Sequence, residues 1–60
     1  MCEITAYSVT GGREEKVMEE VAVIRVEDGQ VVMTDILGRE QTVQGSIREI
    51  RLLEHKVFLT

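Results

Sequence analysis

The sequence contains no proline and only one cysteine, and each scarcity excludes a class of protein. A single cysteine cannot form an internal disulfide, so the chain is not a disulfide-stapled domain. No proline-rich linker divides it, and no apolar run approaches the roughly 20 residues that a membrane helix needs. The 60 residues therefore predict one domain, residues 1–60, without a membrane partner.

Aromatic residues are few and positive charge is not in excess, and both features disfavour nucleic acid as a partner. Tyr7 and Phe58 are the only aromatic residues, too few for a platform on which bases stack. The formal net charge is −4, and the seven lysines and arginines are scattered rather than gathered into a basic stripe.

The small size of the chain favours assembly or metal binding. A chain this short buries only roughly 60% of its unfolded surface, so disulfides, a metal or oligomerisation usually stabilise it. With disulfides excluded, a metal and an oligomer remain. The start of the chain carries Glu3 and no basic segment, unlike a signal peptide, so we expect a cytoplasmic protein with a reduced thiol.

Glycines separate short runs of strand-forming residues and predict an all-β fold. Asp28 and Gly29 join two such runs and indicate a hairpin, because a type I′ turn needs positive φ at both central residues. This turn predicts three cross-strand pairs: Val26 with Val31, Ile24 with Met33, and Val23 with Thr34. We expect a small SH3- or Sm-like barrel, closed or half-open, of six or seven short antiparallel strands.

Two stretches admit more than one structure. Residues 13–20 allow one helical turn, although the β-branched residues that follow favour a strand. Ser46 and Glu49 mimic a helix capping box, but the apolar positions 47, 50 and 53 also suit a bent strand, which we favour.

The central hairpin is apolar on both faces, and only one face can fill a barrel. One face carries Ile24, Val26, Val31 and Met33, and the other carries Val21, Val23, Val32 and Ile36. We therefore predict a dimer in which a second copy covers the face that does not fill the barrel.

The lone cysteine, Cys2, is a candidate metal ligand. If Met1 is removed, the α-amine and thiolate of Cys2 form a five-membered chelate. If Met1 is retained, its amine, the Cys2 amide nitrogen and the sulfur are three consecutive donors. Two chains would offer two nitrogens and two sulfurs, a set that suits nickel(II) or copper(II). An incidental cysteine near a chain end, open to oxidation, is the alternative.

Other candidate ligands have simpler interpretations. His55, the only histidine, is in a charged stretch that we expect to be a solvated turn. A catalytic pair of Cys2 and His55 needs an adjacent pocket, for which a barrel of this size has little room, so we do not expect an enzyme. A set of glutamates is best interpreted as a solvated face: Glu14, Glu15, Glu19 and Glu20.

Four segments together resemble the CooT family of small dimeric nickel-binding proteins. They are "MC" at the start, "MEEV" at 18–21, "DILGREQTVQGSI" at 35–47 and "LLEHKVFL" at 52–59. The resemblance covers nearly the whole chain in order. The family is named for a protein used in nickel delivery to carbon monoxide dehydrogenase, and the resemblance implies Cys2 as the nickel ligand.

These observations combine into one leading hypothesis and two alternatives. The leading hypothesis is a homodimeric metallochaperone or nickel store that binds one Ni(II) through Cys2 thiolates and backbone nitrogens of Met1 or Cys2. Its client would be a nickel enzyme. The first alternative is a small-barrel RNA-binding module that uses Arg25, Arg48 and Arg51. The second is an interaction module in which Cys2 is incidental.

Overall fold

The structure is a computed structural model that describes residues 3–60, and these residues form one six-stranded sheet. The strands are β1 (Ile4–Thr10), β2 (Arg13–Glu27), β3 (Gln30–Asp35), β4 (Glu40–Gln44), β5 (Ile47–Arg51) and β6 (Lys56–Leu59). Their order across the sheet is β4-β3-β2-β1-β6-β5. No helix occurs in the described part of the chain, so the all-β prediction is confirmed. Accordingly, residues 3–60 include no helix that could cross a membrane.

The central hairpin has the predicted register. Asp28 and Gly29 both have positive φ, at 49° and 74°, as the predicted turn requires. All three expected cross-strand pairs are present: Val26–Val31, Ile24–Met33 and Val23–Thr34. The stretch after Ser46, for which we favoured a bent strand, forms β5. Residues 52–55 form the turn into β6.

The helical turn considered for residues 13–20 is wrong, because these residues form the first half of β2. This strand is 15 residues long; its first half pairs with β1 and its second half with β3. Ladder hydrogen bonds to β1 outweigh the helix propensity of the glutamates in this first half. Glu20 has a φ of 53°, and the register shifts between Val21 and Val23, so a bulge bends the strand where its partner changes.

This bulge also corrects one predicted face of the hairpin. Val21 belongs to the buried core together with Val31 and Met33, not to the opposite face on which we placed it. A one-residue register shift moves a side chain to the opposite face of a sheet. Of the residues predicted to share a face with Val21, Val32 is buried, whereas Val23 and Ile36 are 49% and 53% exposed.

One pairing differs from the antiparallel arrangement that we predicted. Strands β1 and β6 are parallel, with Tyr7 opposite Phe58. The sheet is also not closed as a barrel, because β4 and β5 are its two edges in the described chain. No ladder of hydrogen bonds joins β4 to β5, so the sheet stays open. Strand β6 turns back antiparallel from β5 and lies beside β1, to which it is parallel.

A two-residue link nevertheless joins these two edge strands. Only Gly45 and Ser46 separate β4 from β5, and three peptide units span at most about 11 Å. Since a flat six-stranded sheet places its edges about 24 Å apart, the sheet must curl. Gly45 N–H donates to the Gly29 carbonyl over 2.8 Å, and Ser46 exchanges two backbone hydrogen bonds with Thr60.

The core lies between the two halves of the curled sheet. Its buried members come from both halves: Ala6, Val21, Val31, Met33, Val57 and Leu59. Alternation along β3 and β6 places Val31, Met33, Val57 and Leu59 on one face. Burial of these apolar side chains between the two halves of the sheet stabilises the fold.

We predict that Gly45→Ala destabilises the protein more than any other glycine-to-alanine change. A Cβ at position 45 would lie 1.8 Å from the Thr60 carbonyl oxygen, and the φ of Gly45 is 128°. The strained φ and the clash with the Thr60 backbone should together lower the free energy of unfolding by about 2 kcal/mol or more. In a domain of this size that lowers Tm by about 10 °C, measurable by circular dichroism.

Gly29→Ala is the matched control for this prediction. Gly29 also has positive φ, but nothing lies within 4 Å of its added Cβ. The free energy of unfolding of this control should fall by only about 1 kcal/mol, because only the left-handed backbone conformation is strained. Equal Tm losses for the two variants would show that the Gly45 contact does not constrain the curl.

Candidate metal centre at the start of the chain

The predicted ligands Met1 and Cys2 lie outside the described residues, so the structure shows only the surroundings of residue 3 onward. Glu3 is exposed. Ile4 pairs with Val21 of β2 on one side of β1. On the other side, Thr5 N–H donates to the His55 carbonyl over 2.9 Å. The beginning of β1 is therefore held between the bulged region of β2 and the turn that carries the only histidine.

This turn, residues 52–55, is called the leucine turn. His55 N–H donates to the Leu52 carbonyl over 3.2 Å, and His55 has a φ of 57°, a conformation in which histidine is enriched. Leu52 and Leu53 are 72% and 98% exposed. His55 is exposed too, as predicted.

A second turn, residues 36–39, is organised by a buried carboxylate. Asp35 is 5% exposed, and its carboxylate accepts hydrogen bonds from the backbone N–H groups of Leu37 and Arg39, both at 2.9 Å. The Arg39 side chain adds an ion pair at 2.7 Å. Ile36 N–H donates to the Glu20 carbonyl, which ties this turn to the β2 bulge.

These contacts determine the protonation of Asp35. Burial alone would raise its pKa, but the hydrogen bonds from Arg39 and Leu37 and the charge of Arg39 more than offset burial, so the pKa lies below its ordinary value of 3.8. The carboxylate is therefore an internal acceptor for the turn. Sequence reasoning missed it, although an aspartate followed three residues later by glycine is a turn signal.

The acidic residues do not assemble a metal site of their own. Among residues 3–60, no group of three or more histidine, cysteine, aspartate and glutamate side chains could hold a metal ion. Glu14, Glu15 and Glu19 are exposed, and Glu19 is paired with Lys16. Three of the four glutamates therefore fit the expected solvated face, whereas Glu20 is half-buried, and Met33 is buried in the core.

The two aromatic side chains meet, a contact that sequence reasoning missed. The Tyr7 and Phe58 rings stack with centroids 5.5 Å apart and planes at 23°. The Arg51 guanidinium lies 5.6 Å from the Phe58 centroid, and Lys56 Nζ lies 5.7 Å from that of Tyr7. The parallel pairing of β1 with β6 brings these distant residues together, and nothing local in the sequence indicates that pairing.

The arginines proposed for RNA binding are only partly brought together. Arg48 and Arg51 line a cleft of about 500 Å³ beside Phe58, whereas Arg25 lies on β2 and pairs with Glu27 over 3.2 Å. Arg51 is already paired with glutamates, and Phe58 is 6% exposed. A covered ring offers no free face for a base, so this arrangement does not favour the RNA alternative.

Residues 3–60 form a small all-β domain built on one curled sheet. The chain belongs to the CooT family: the family model described as CO dehydrogenase accessory protein CooT matches residues 1–60. A crystal structure from Carboxydothermus hydrogenoformans, provisionally assigned as CooT, is 26% identical, with a TM-score of 0.87 over 97% of this chain and 94% of that chain. No curated protein matches the chain. The resemblance seen in the sequence is confirmed, and the family is one of accessory proteins for CO dehydrogenase.

We predict that Asp35 makes stability fall in acid. Its pKa is lower in the folded than in the unfolded chain, so the stabilisation is complete above about pH 4 and is lost as pH falls through the folded value. Urea midpoints measured between neutral and acidic pH should therefore fall more steeply for wild type than for Asp35→Asn.

Glu19→Gln provides the control. The pKa of Glu19 is also lowered, by its hydrogen bond and charge interaction with Lys16, but the Glu19 side chain is 61% exposed. Exposed pairs contribute little to stability, so this variant should follow wild type. An Asp35→Asn curve parallel to wild type would contradict the assignment.

Proposed function

We propose that this protein is a cytoplasmic nickel(II) metallochaperone or nickel store for the maturation of carbon monoxide dehydrogenase. Two copies bind one ion through their Cys2 thiolates and backbone nitrogens at Met1 or Cys2. The observation that carries the proposal is the family match over residues 1–60, which includes the cysteine at position 2. The enzyme that the family serves is a nickel enzyme.

The donor chemistry supports nickel at this position. Residues 3–60 hold no cluster of three metal-binding side chains, so the ion would depend on residues 1 and 2 of two chains. Thiolate sulfur with amine or amide nitrogen is a soft, planar set that suits Ni(II), whereas magnesium and calcium prefer oxygen.

The same donors make binding depend on pH. A free thiol titrates near about 8.5 and an α-amine near about 8, and both must lose a proton to bind the ion. Nickel affinity should therefore rise steeply from neutral to mildly alkaline pH.

Delivery requires that a client can reach the ion. Glu3 is exposed, so the described chain begins at the surface. A planar set leaves positions above and below the ion open, and an incoming ligand of the client can add there before the original ligands leave. Binding followed by ligand exchange, without covalent chemistry on a substrate, is the work of an accessory protein and not of an enzyme.

We predict that Cys2→Ser abolishes tight nickel binding and leaves the fold intact. Titration of the reduced wild-type protein with Ni(II) should give thiolate-to-nickel charge-transfer bands that saturate at one ion per two chains. A mass spectrum of the same sample identifies whether Met1 or Cys2 carries the amine. The serine variant should lack the bands and keep the wild-type circular dichroism.

A variant that moves the thiol tests whether its position matters. Cys2→Ser combined with Thr10→Cys keeps one thiol per chain on an exposed strand end, away from the terminal nitrogens. It should bind nickel no better than Cys2→Ser alone. Wild-type affinity in either variant would show that Cys2 is not the ligand.

A further inference from the structure

We propose that the free edge of β4 binds an extended segment of a partner protein, and that a lysine or arginine of this segment enters the cleft beside the edge. The segment would add to the sheet as a further strand. This inference goes beyond the proposed function, because it does not involve the proposed nickel ligands.

The backbone groups on one side of β4 have no strand beside them. Asp35 N–H donates to the Arg39 carbonyl over 2.9 Å, and Gly45 N–H donates to the Gly29 carbonyl over 2.8 Å. These contacts mark two hydrogen-bonded pairs at the ends of the β3–β4 ladder, and the register between them is continuous. Because bonded pairs alternate along an antiparallel ladder, the N–H and C=O groups of residues 41 and 43 face β3. Those of residues 40, 42 and 44 face outward from the edge.

The two edges of the sheet differ in how they are protected. In β5 the register shifts between Ile47 and Glu49, and two of its five residues are arginines. Bulges and charged side chains are devices that block the addition of another strand. Across the described residues of β4 the register does not shift, and Glu40 is the only charged side chain. Since every residue of β4 except the half-buried Val43 is exposed, this edge is open to a further strand.

A cleft of about 370 Å³ adjoins the beginning of this edge. Its lining includes Glu40 and Gln41 of β4 and residues 16–20 of β2. Val17 and Met18 form its apolar part and are half-buried against the core. An added strand directs alternate side chains to the same face of a sheet, so a long side chain can enter the cleft. In this mode of recognition the backbone hydrogen bonds supply affinity and the pocket supplies specificity.

Charge determines which side chain the cleft accepts. Four charged groups of its lining form two internal pairs, Lys16 with Glu19 and Arg39 with Asp35. The two remaining carboxylates, on Glu20 and Glu40, have no ion pair within residues 3–60. The paired charges cancel, so the lining carries a net charge of −2 from these two glutamates.

A lysine or arginine matches both properties of the cleft. Its methylene stem packs on apolar surface while its cationic head stays with carboxylates at the rim. The net charge of −4 on the whole chain also attracts a basic partner and repels an acidic one.

The first experiment selects a displayed library of random short peptides on the reduced protein without nickel. We expect the selected peptides to share a lysine or arginine at one position, and synthetic copies to bind in a fluorescence-anisotropy titration. Replacing the shared cation by norleucine keeps an apolar stem, and it should weaken binding about fivefold and remove most of the salt dependence. Cys2→Ser should bind the peptides as wild type does.

Thr42→Pro tests the edge itself. It deletes an N–H that faces outward and keeps the ladder hydrogen bonds to β3, and edge positions of this kind tolerate proline. The circular dichroism should remain that of wild type, while peptide affinity should fall at least about tenfold because a backbone hydrogen bond is lost. Thr42→Ala keeps the N–H and is the matched control, with wild-type affinity expected.

Glu20→Gln/Glu40→Gln tests the cleft. Affinity for the cationic peptide should fall about fivefold, whereas affinity for the norleucine peptide should stay the same. Glu14→Gln/Glu15→Gln removes the same charge from two exposed glutamates of β2 and should leave both affinities unchanged.

The leucine turn provides a second control, because it is the most exposed apolar feature of the described chain. Leu52 and Leu53 are 72% and 98% exposed, so they are the side chains to which an apolar peptide would adhere without specificity. Leu52→Ser/Leu53→Ser should bind the selected peptides as wild type does.

Several outcomes would overturn the inference. These are a selection that yields no binding peptide, peptides without a shared cation, wild-type affinity in Thr42→Pro, and loss of binding in the leucine-turn variant. A Thr42→Pro protein that is monomeric where wild type is dimeric would assign the edge to a second copy of the chain. Nickel binding by Cys2→Ser would instead refute the proposed function and leave the edge site standing.

Discussion

The constraint on which the structure depends is the two-residue link between the edge strands. β4 and β5 lie at opposite edges of the sheet, yet only Gly45 and Ser46 join them. The sheet has to curl to satisfy this link, and curling places the two halves face to face. A core built from both halves then becomes possible without a second layer, which a chain of 60 residues could not supply. Gly45 is suited to the link because its position leaves no room for a side chain.

The curl also determines how the beginning of the chain is presented. β2 bends at Glu20 to serve both halves, and β1 lies between β2 and β6. Both sides of β1 are therefore occupied by backbone partners, and the first described residues are fixed against His55 on one side and Val21 on the other. Glu3, the first described residue, therefore precedes a strand that is held by backbone partners on both sides.

The local features of this fold could be predicted from the sequence, whereas the long-range features could not. Asp28 and Gly29 specify a turn and, through it, the hairpin pairs as far as Val23–Thr34, because a two-residue turn leaves only one register; the shift at Val21 was not predicted. Helix propensity was misleading in the first half of β2, where pairing with β1 decides the structure. The parallel pairing of β1 and β6, and with it the Tyr7–Phe58 stack, joins opposite ends of the chain and has no short-range signal. The carboxylate of Asp35 bonds only to residues within the next four, so its role in the turn is a local feature that our prediction missed. The candidate ligand Cys2 was found by its chemistry and by family resemblance, and neither depends on the fold.

The parallel pair of β1 and β6 has a consequence for the order in which the protein matures. Strand β1 is synthesised first, but its second neighbour, and the Val57 and Leu59 side chains that complete the core, come from the last strand. Contacts between the two ends of a chain form late, because the largest loop must close before they contribute. During translation the beginning of the chain leaves the ribosome long before β6 does. The native surroundings of residue 3 therefore exist only once β6 has been synthesised and has paired with β1.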